Sequence, residues 1–182
     1  MEDELTLVAP DVKYREAFMA MVEDFCRAGE DRYLYLRNAS QAEFAAHVRR
    51  LNNAAKGLGL RPGWVPQTTF WTLRTGVTPI IGTVQFRHRL TRSLKKEGGH
   101  IGYAITPSFR NQGYGTRQLA LMLEEARALG YQRVLVTCDT DNIASARVIQ
   151  KNGGVFAGES ISDYSGKPVS RYWISLVSEP TD

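Results

Sequence analysis

Apolar positions along this chain change period several times, and each change marks an element. Leu5-Thr6-Leu7-Val8 reads as a first strand. From Pro10 and Asp11 the period becomes helical: Tyr14, Phe18, Met21, Val22 and Phe25 form one stripe, and Gly29 closes a helix reaching about Ala28. Ser40-Gln-Ala-Glu43 is a capping-box pattern. The helix behind it carries Phe44, Val48, Leu51 and Ala55 and ends near Gly57. Residues 57–67, with two prolines and three glycines after the helix, form a loop.

Strands are predicted over 68–74 and 80–90, joined by a turn at 75–79. The second forms a hairpin with residues 100–105 across 91–99. Leu119, Met122, Leu123, Ala126 and Leu129 then give a helical stripe that Gly130 stops. Residues 133–138 are a short apolar run of parallel-strand type. Asn142 caps a helix ending at Gly153-Gly154. Residues 155–159 and 171–177 complete the sheet around a polar turn at 162–168. The order is β-α-α-β-β-β-α-β-α-β-β, without repeats or internal linkers.

At 182 residues and 43% apolar, the chain is expected to be one domain, 1–182, with a sizeable core. No apolar run of about 18 residues spans a membrane. The acidic start Met1-Glu2-Asp3-Glu4 lacks a secretory h-region, so a reducing cytoplasm and free thiols at Cys26 and Cys138 are expected. The three histidines have no metal-ligand spacing, and no metal is expected. Net charge is +4, with local clusters at 87–92 and Lys95-Lys96. These read either as a solvated hairpin loop or as attraction for an anionic cofactor or acidic acceptor. No basic stripe interleaved with aromatics exists, which argues against a nucleic-acid partner.

The chemistry concentrates in residues 101–116. An apolar run ends at Thr106-Pro107, and a polar loop with Arg110, Gly113 and Gly115 leads into a helix. Strand, glycine loop and helix start turn backbone N–H groups into an anion cradle. A P-loop needs Lys-Ser or Lys-Thr after its last glycine, whereas Gly115 is followed by Thr116-Arg117. A dinucleotide fingerprint needs a third glycine where this chain has Gln118. Asp139, roughly 20 residues on, keeps that reading open as a rival.

Ile105, Arg110, Gly113 and Gly115 resemble the pyrophosphate loop of the GNAT superfamily of acetyl-CoA-dependent N-acyltransferases. Asn142 through Ser145, Lys151 and Gly153 resemble that family's following helix segment. The runs 98–103 and 137–139 are similar to a bacterial subgroup of predicted acetyltransferases. The motifs cover roughly 79–160; the first 78 residues match only in element order. The resemblance implies an α/β (α+β) fold with a mixed sheet of about seven strands, flanked by helices and splayed between strands 4 and 5.

It also implies acetyl-CoA as co-substrate. Backbone of Ala104, Ile105 and Thr106 would pair with the pantetheine arm. The N–H groups of Gln112, Gly113, Gly115 and Thr116 would hold the pyrophosphate, with Tyr114 in the same turn. Arg110 would organise the loop or touch phosphate, and Asn142 and Ser145 would reach the cofactor. Lys151, with Arg117 and Arg147, is a candidate for the 3′-phosphate.

The implied reaction is direct attack of an amine of a small molecule or peptide on the thioester. An amine of pKa near 10.4 is about 0.1% neutral at pH 7, so a base is wanted. Glu97, His100 and Asp139 are the candidates. Tyr103 and Tyr172, with Tyr164, are candidate acids for the leaving thiolate, because Ile149 stands where the family often carries a tyrosine. That departure supports the alternative of a non-catalytic acetyl-CoA-binding module. An acyl-Cys138 route has no activating base beside it in sequence. Tyr33, Tyr35, Trp64, Phe70 and Trp71 fall in regions that shape the acceptor side of the family. Homodimers are common there too.

Overall fold

The computed structural model describes residues 4–74 and 77–177. A seven-stranded mixed sheet has the order β1-β2-β3-β4-β5-β7-β6. The strands are β1 Leu5–Val8, β2 Gln67–Arg74, β3 Val77–Arg87, β4 Ile101–Ile105, β5 Arg133–Asp139, β6 Val155–Ile161 and β7 Pro168–Ser175. The helices are α1 Arg15–Arg27, α2 Gln41–Ala55, α3 Arg92–Lys96, α4 Tyr114–Ala128 and α5 Ile143–Lys151. Among the described residues no helix is long and apolar enough to cross a membrane.

Each sheet face buries its own helix pair. Phe18, Val22 and Phe25 of α1 and Phe44 and Val48 of α2 pack on Trp71, Leu73 and Ile80. Leu119, Met122 and Ala126 of α4 and Ile149 of α5 pack on Val84, Phe86, Val134 and Val136 from the other side. Each fully buried large side chain contributes about 1.5–3 kcal/mol relative to exposure. The predicted capping box forms, Ser40 and Glu43 satisfying each other's backbone N–H.

Boundaries differ from expectation at several elements; β3, expected to reach 90, ends at Arg87. The 91–99 connection contains α3, because the Thr91 hydroxyl accepts from Leu94 N–H and caps a turn. β7 begins at Pro168 because it pairs with β6 from that residue and with β5 from Val169. The turn expected at 75–79 falls partly outside the described residues, at 75 and 76; Val77–Pro79 belong to β3. The β2–β3 register shifts between Leu73 and Arg74.

β4 and β5 run parallel but pair only at Ile101–Val136. Beyond that point they separate. The β3–β4 register decides which groups face the gap. Arg87 N–H donates to His100 O at 2.7 Å and Thr106 N–H to Ile81 O at 2.9 Å. Antiparallel alternation then turns the backbone groups of Gly102, Ala104 and Thr106 toward β3, and those of Tyr103 and Ile105 toward β5.

Candidate functional site

The loop between β4 and α4 is held from three sides. Ser108 N–H donates to the Asp24 carboxylate at 3.1 Å. Arg110 forks onto Glu30 at 2.6 and 3.0 Å, and its Nε donates to Ile105 O at 3.1 Å. Gln112 Nε2 donates to Ser108 O at 2.9 Å. Arg110 therefore organises the loop, and its guanidinium holds the Glu30 carboxyl below the usual carboxylate range.

Two residues of the loop are left-handed, Asn111 at φ 61° and Gly113 at φ 81°. This conformation directs successive N–H groups outward as a nest. The N–H groups of Gln112, Gly113 and Gly115 meet no acceptor among the described residues. A Cβ on Gly113 would meet nothing within 4 Å. At Gly115 a Cβ would lie 3.3 Å from Val148 Cγ2, so this glycine brings α4 close to α5. The geometry fits a diphosphate: a positive helix start, outward amides and no side chain in the way.

A cavity of about 640 Å³ opens from this cradle. It is walled by Tyr103, Ala104 and Ile105 of β4 and by Ala144, Arg147, Val148 and Lys151 of α5. The α5 residues recur at helical spacing on one face. Asn142 and Ser145 line it too. Asn142 Oδ1 caps α5 by accepting from Ser145 N–H at 3.0 Å. The Ser145 hydroxyl lies 2.9 Å from Tyr103 Oη. Burial pushes the Tyr103 phenol up to about 12.

Several expected residues serve elsewhere. Ala104 and Thr106 commit their backbone to β3, so Tyr103, and Ile105 through its N–H, are the residues offering β4 main chain to the gap, the Ile105 carbonyl being taken by Arg110. The Thr106 hydroxyl also donates to Ile80 O at 2.9 Å. Thr116 N–H donates to Gly113 O at 3.1 Å, inside the first turn of α4. The Tyr114 ring packs with Leu5 and Ile81, away from the cradle. Arg117 leans over that ring, 5.8 Å from its centroid.

His100 is a structural link between strands. Its N–H donates to Leu135 O at 2.7 Å, and its Nδ1 accepts from Leu135 N–H at 2.9 Å. With Nδ1 as acceptor the neutral ring carries its proton on Nε2, so no lone pair is left for a substrate. Burial, then the Arg87 charge, lowers its pKa to about 4. The Glu97 carboxylate accepts from the Ser162 hydroxyl, tying the α3 loop to the β6–β7 turn. Asp139 is exposed at the end of β5, where its carbonyl accepts from Asn142 N–H at 2.9 Å. Tyr172 is buried in the core with Phe156 edge-on against it, and Tyr164 is exposed on the β6–β7 turn. Burial raises the Cys138 thiol, which leaves it short of thiolate.

A second cavity, about 580 Å³, lies on the α1–α2 side of the sheet. Tyr33, Tyr35, Trp64 and Trp71 line it, whereas Phe70 packs against the core on the other face. The segment after α1 separates the cavities: Glu30 and Arg32 face one and Tyr33 the other. The Tyr33 hydroxyl lies 2.8 Å from Thr83 Oγ1, and Thr83 pairs with Ala104, which lines the first cavity. The cavities therefore approach each other at the Thr83–Ala104 pair. Sequence reasoning missed Glu30, Arg32, His47, Arg50 and Arg61 as cavity walls. They lie in the region without motifs; the Gly57–Gln67 loop composition was the one available hint for Arg61.

Residues 5–155 match the acetyltransferase (GNAT) domain family. A 54-residue segment is 33% identical to the uncharacterized N-acetyltransferase YnaD of Bacillus subtilis (strain 168), covering 29% of this chain and 32% of that protein. The chain thus aligns with about a third of that relative's length. Among solved structures, the microcin C7 self-immunity acetyltransferase MccE in complex with acetyl-CoA and AMP has a TM-score of 0.68 at 17% identity, over 96% of this chain and 93% of that one. RimL, a ribosomal L7/L12 alpha-N-protein acetyltransferase in complex with coenzyme A, has a TM-score of 0.68 at 22% identity, over 96% and 95%. At these identities the likeness is one of fold.

Proposed function

The chain belongs to the GNAT acetyltransferase family, and from that premise we propose that it is an acetyl-CoA-dependent N-acetyltransferase acting on an amine of a small molecule or peptide. One observation carries the reading. β4 leaves β5 after Ile101–Val136 and ends on a loop whose Gln112, Gly113 and Gly115 amides point outward.

Acetyl-CoA supplies an acetyl thioester: the amine's C–N bond forms as the C–S bond breaks, and the amine's proton ends on the coenzyme thiol. The amides of Gln112, Gly113 and Gly115 bind the diphosphate, aided by the start of α4. The edge groups of Tyr103 and Ile105 orient the pantetheine arm. Arg147 and Lys151, on the cavity face of α5, attract the 3′-phosphate, and Arg32 faces the same cavity. Asn142 and Ser145 keep the start of α5 in register beside it.

The Tyr103–Ser145 hydroxyl pair serves as the hydrogen-bond donor to sulfur. A phenol pushed up to about 12 stays protonated at neutral pH, so the pair offers the leaving sulfur a hydrogen bond more readily than a full proton. Ile149 is fully buried and takes no part. A thiol of pKa near 8.5 leaves readily, so this help is modest.

The test pairs acetyl-CoA calorimetry with a thiol-release assay over a broad panel of amines. Binding with turnover on at least one amine is expected. Binding without turnover on any of them would turn the assignment to a non-catalytic acetyl-CoA module.

A further inference from the structure

The second cavity has an unusual charge balance. Arg50, Arg61 and Arg87 line it, and no aspartate or glutamate does. None of the three meets a carboxylate among the described residues. Arg50 Nη2 reaches Tyr35 Oη at 3.2 Å and His47 Nδ1 at 3.0 Å. Arg61 lies over the Trp64 ring, 5.7 Å from its centroid. Arg87 donates to the carbonyls of Gly98 and Gly99 at 2.7 and 3.3 Å.

Arg50 and Arg61 are solvent-exposed and Arg87 is half-buried, so the three cations share one concave wall without a counter-ion, their repulsion screened by water. Some arginines elsewhere on the surface are paired: Arg37 with Glu23, Arg110 with Glu30 and Arg127 with Glu124.

Two buried polar atoms on the same wall also lack partners, His47 Nε2 and Thr69 Oγ1. His47 is 5% exposed and so is Thr69. Arg50 can only donate, so His47 Nδ1 accepts and Nε2 bears the ring proton. The wall therefore holds an orphan N–H donor and an orphan hydroxyl next to the guanidinium groups. Both atoms are shielded from solvent, so they make the wall polar beneath its surface and are not themselves contacts for a ligand.

We propose that this cavity takes an acceptor amine that carries an anionic group, a carboxylate or a phosphate, on a small apolar or aromatic body. The inference rests on the acetyltransferase reading and names its substrate class. Arg50 and Arg61, with Arg87 behind them, receive the anion, because guanidinium groups match carboxylate and phosphate oxygens in pairs. Trp64 and Tyr35, 55% and 66% exposed, supply flat apolar surface at the mouth. The amine is left facing Tyr33 and the Thr83–Ala104 boundary with the first cavity.

The test uses products, which need no turnover. Calorimetry compares N-acetylphenylalanine with N-acetylphenylalaninamide, and N-acetyl-O-phosphoethanolamine with N-acetylethanolamine. The anionic member of at least one pair is expected to bind about tenfold tighter or more, the scale of one charge-assisted contact. Whichever pair shows the preference identifies carboxylate or phosphate. In the Arg50→Gln/Arg61→Gln protein the preference should fall below about threefold, since Arg87 alone remains. Equal binding within both pairs, or an unchanged preference in the variant, overturns the proposal. Turnover assays on the parent amines separate it from the reading beneath it. Equal kcat/KM for charged and uncharged amines overturns the anion site and leaves acetyl transfer standing. No transfer to any amine, with the anionic preference intact, supports the site and removes the transfer.

Discussion

Replacing Gly113 by glutamate tests the cradle with the fold as an internal control. The site sits at φ 81°, and a Cβ there meets nothing within 4 Å. The cost to the folded chain is therefore backbone strain alone, about 1–2 kcal/mol for a non-glycine residue in left-handed geometry. For a domain of this size that lowers Tm by about 2–8 °C. The effect on acetyl-CoA is much larger. The new side chain starts where the amides converge, and its charge sits about 5 Å from a bound diphosphate. At effective dielectric constants between 20 and 80 that repulsion is about 1–3 kcal/mol per phosphate charge, before any lost N–H bonds. Affinity should fall by about 100-fold or more, measured by calorimetry, while a thermal melt shows the modest loss. Gly113→Ala separates the parts: it carries the same strain with no charge, and keeps more of the affinity. Wild-type affinity in Gly113→Glu would refute the cradle. Loss of the fold in both variants would refute the claim that the space beside Gly113 is empty.

His47 and His100 each have a pKa lowered from 6.5 to about 4, chiefly by burial, with Arg50 and Arg87 adding to it. Their contribution is complete above pH 6.5 and is lost as pH falls toward 4, because the unfolded chain takes up protons that the folded one refuses. Urea midpoints should fall in that window with a slope of up to about 2.7 kcal/mol per pH unit for two groups, and His47→Gln/His100→Gln should flatten it. The same buried His100 predicts that kcat/KM carries no inflection near 6.5 from this residue. Tyr103→Phe and Ser145→Ala should each lower kcat by about tenfold, with acetyl-CoA affinity within about threefold, in a single-turnover assay. Equal loss of affinity and rate would make the pair a binding element. Amines of pKa near 8 should outperform lysine-like amines of similar shape in kcat/KM, and the reverse order would remove any role for the arginine field.

The loop of outward amides was legible because backbone builds it. A loop that must turn left-handed and present bare amides needs glycine at fixed spacing, so Gly113 and Gly115 announce it. Phase was harder to read than place. Which of Ala104 and Ile105 faces β5 depends on pairing with β3, and that register is set by contacts such as Thr106 with Ile81. His100 misled for a related reason. An imidazole at a strand start looks available until the neighbouring strand supplies Leu135 N–H as its donor. The wall of the second cavity was the least legible. His47 and Arg50 lie on α2, Arg61 in the following loop, Thr69 on β2 and Arg87 on β3. No local spacing connects them, and only the folded sheet brings them together.

A net charge of +4 understates what the fold does with its cations. Arg32, Arg147 and Lys151 line the first cavity, where Arg110 is already matched by Glu30; Arg50, Arg61 and Arg87 line the second. This arrangement bears on the deprotonation step. His100 has no free lone pair, and the Glu97 carboxylate is bonded to Ser162. A cationic wall performs part of the same task by making the ammonium form of an acceptor costly. One guanidinium about 8 Å away raises that cost by about 0.5–2 kcal/mol across effective dielectric constants of 80 to 20. If an anion on the acceptor neutralises one arginine, the other two still lower the amine pKa by about one to three units. That brings an amine titrating near 8 to neutrality or below, whereas one near 10.4 stays mostly protonated at pH 7. Charge thus selects the acceptor twice, by its anionic group and by the basicity of its nitrogen, and both selections come from guanidinium groups that the sheet gathers on one wall.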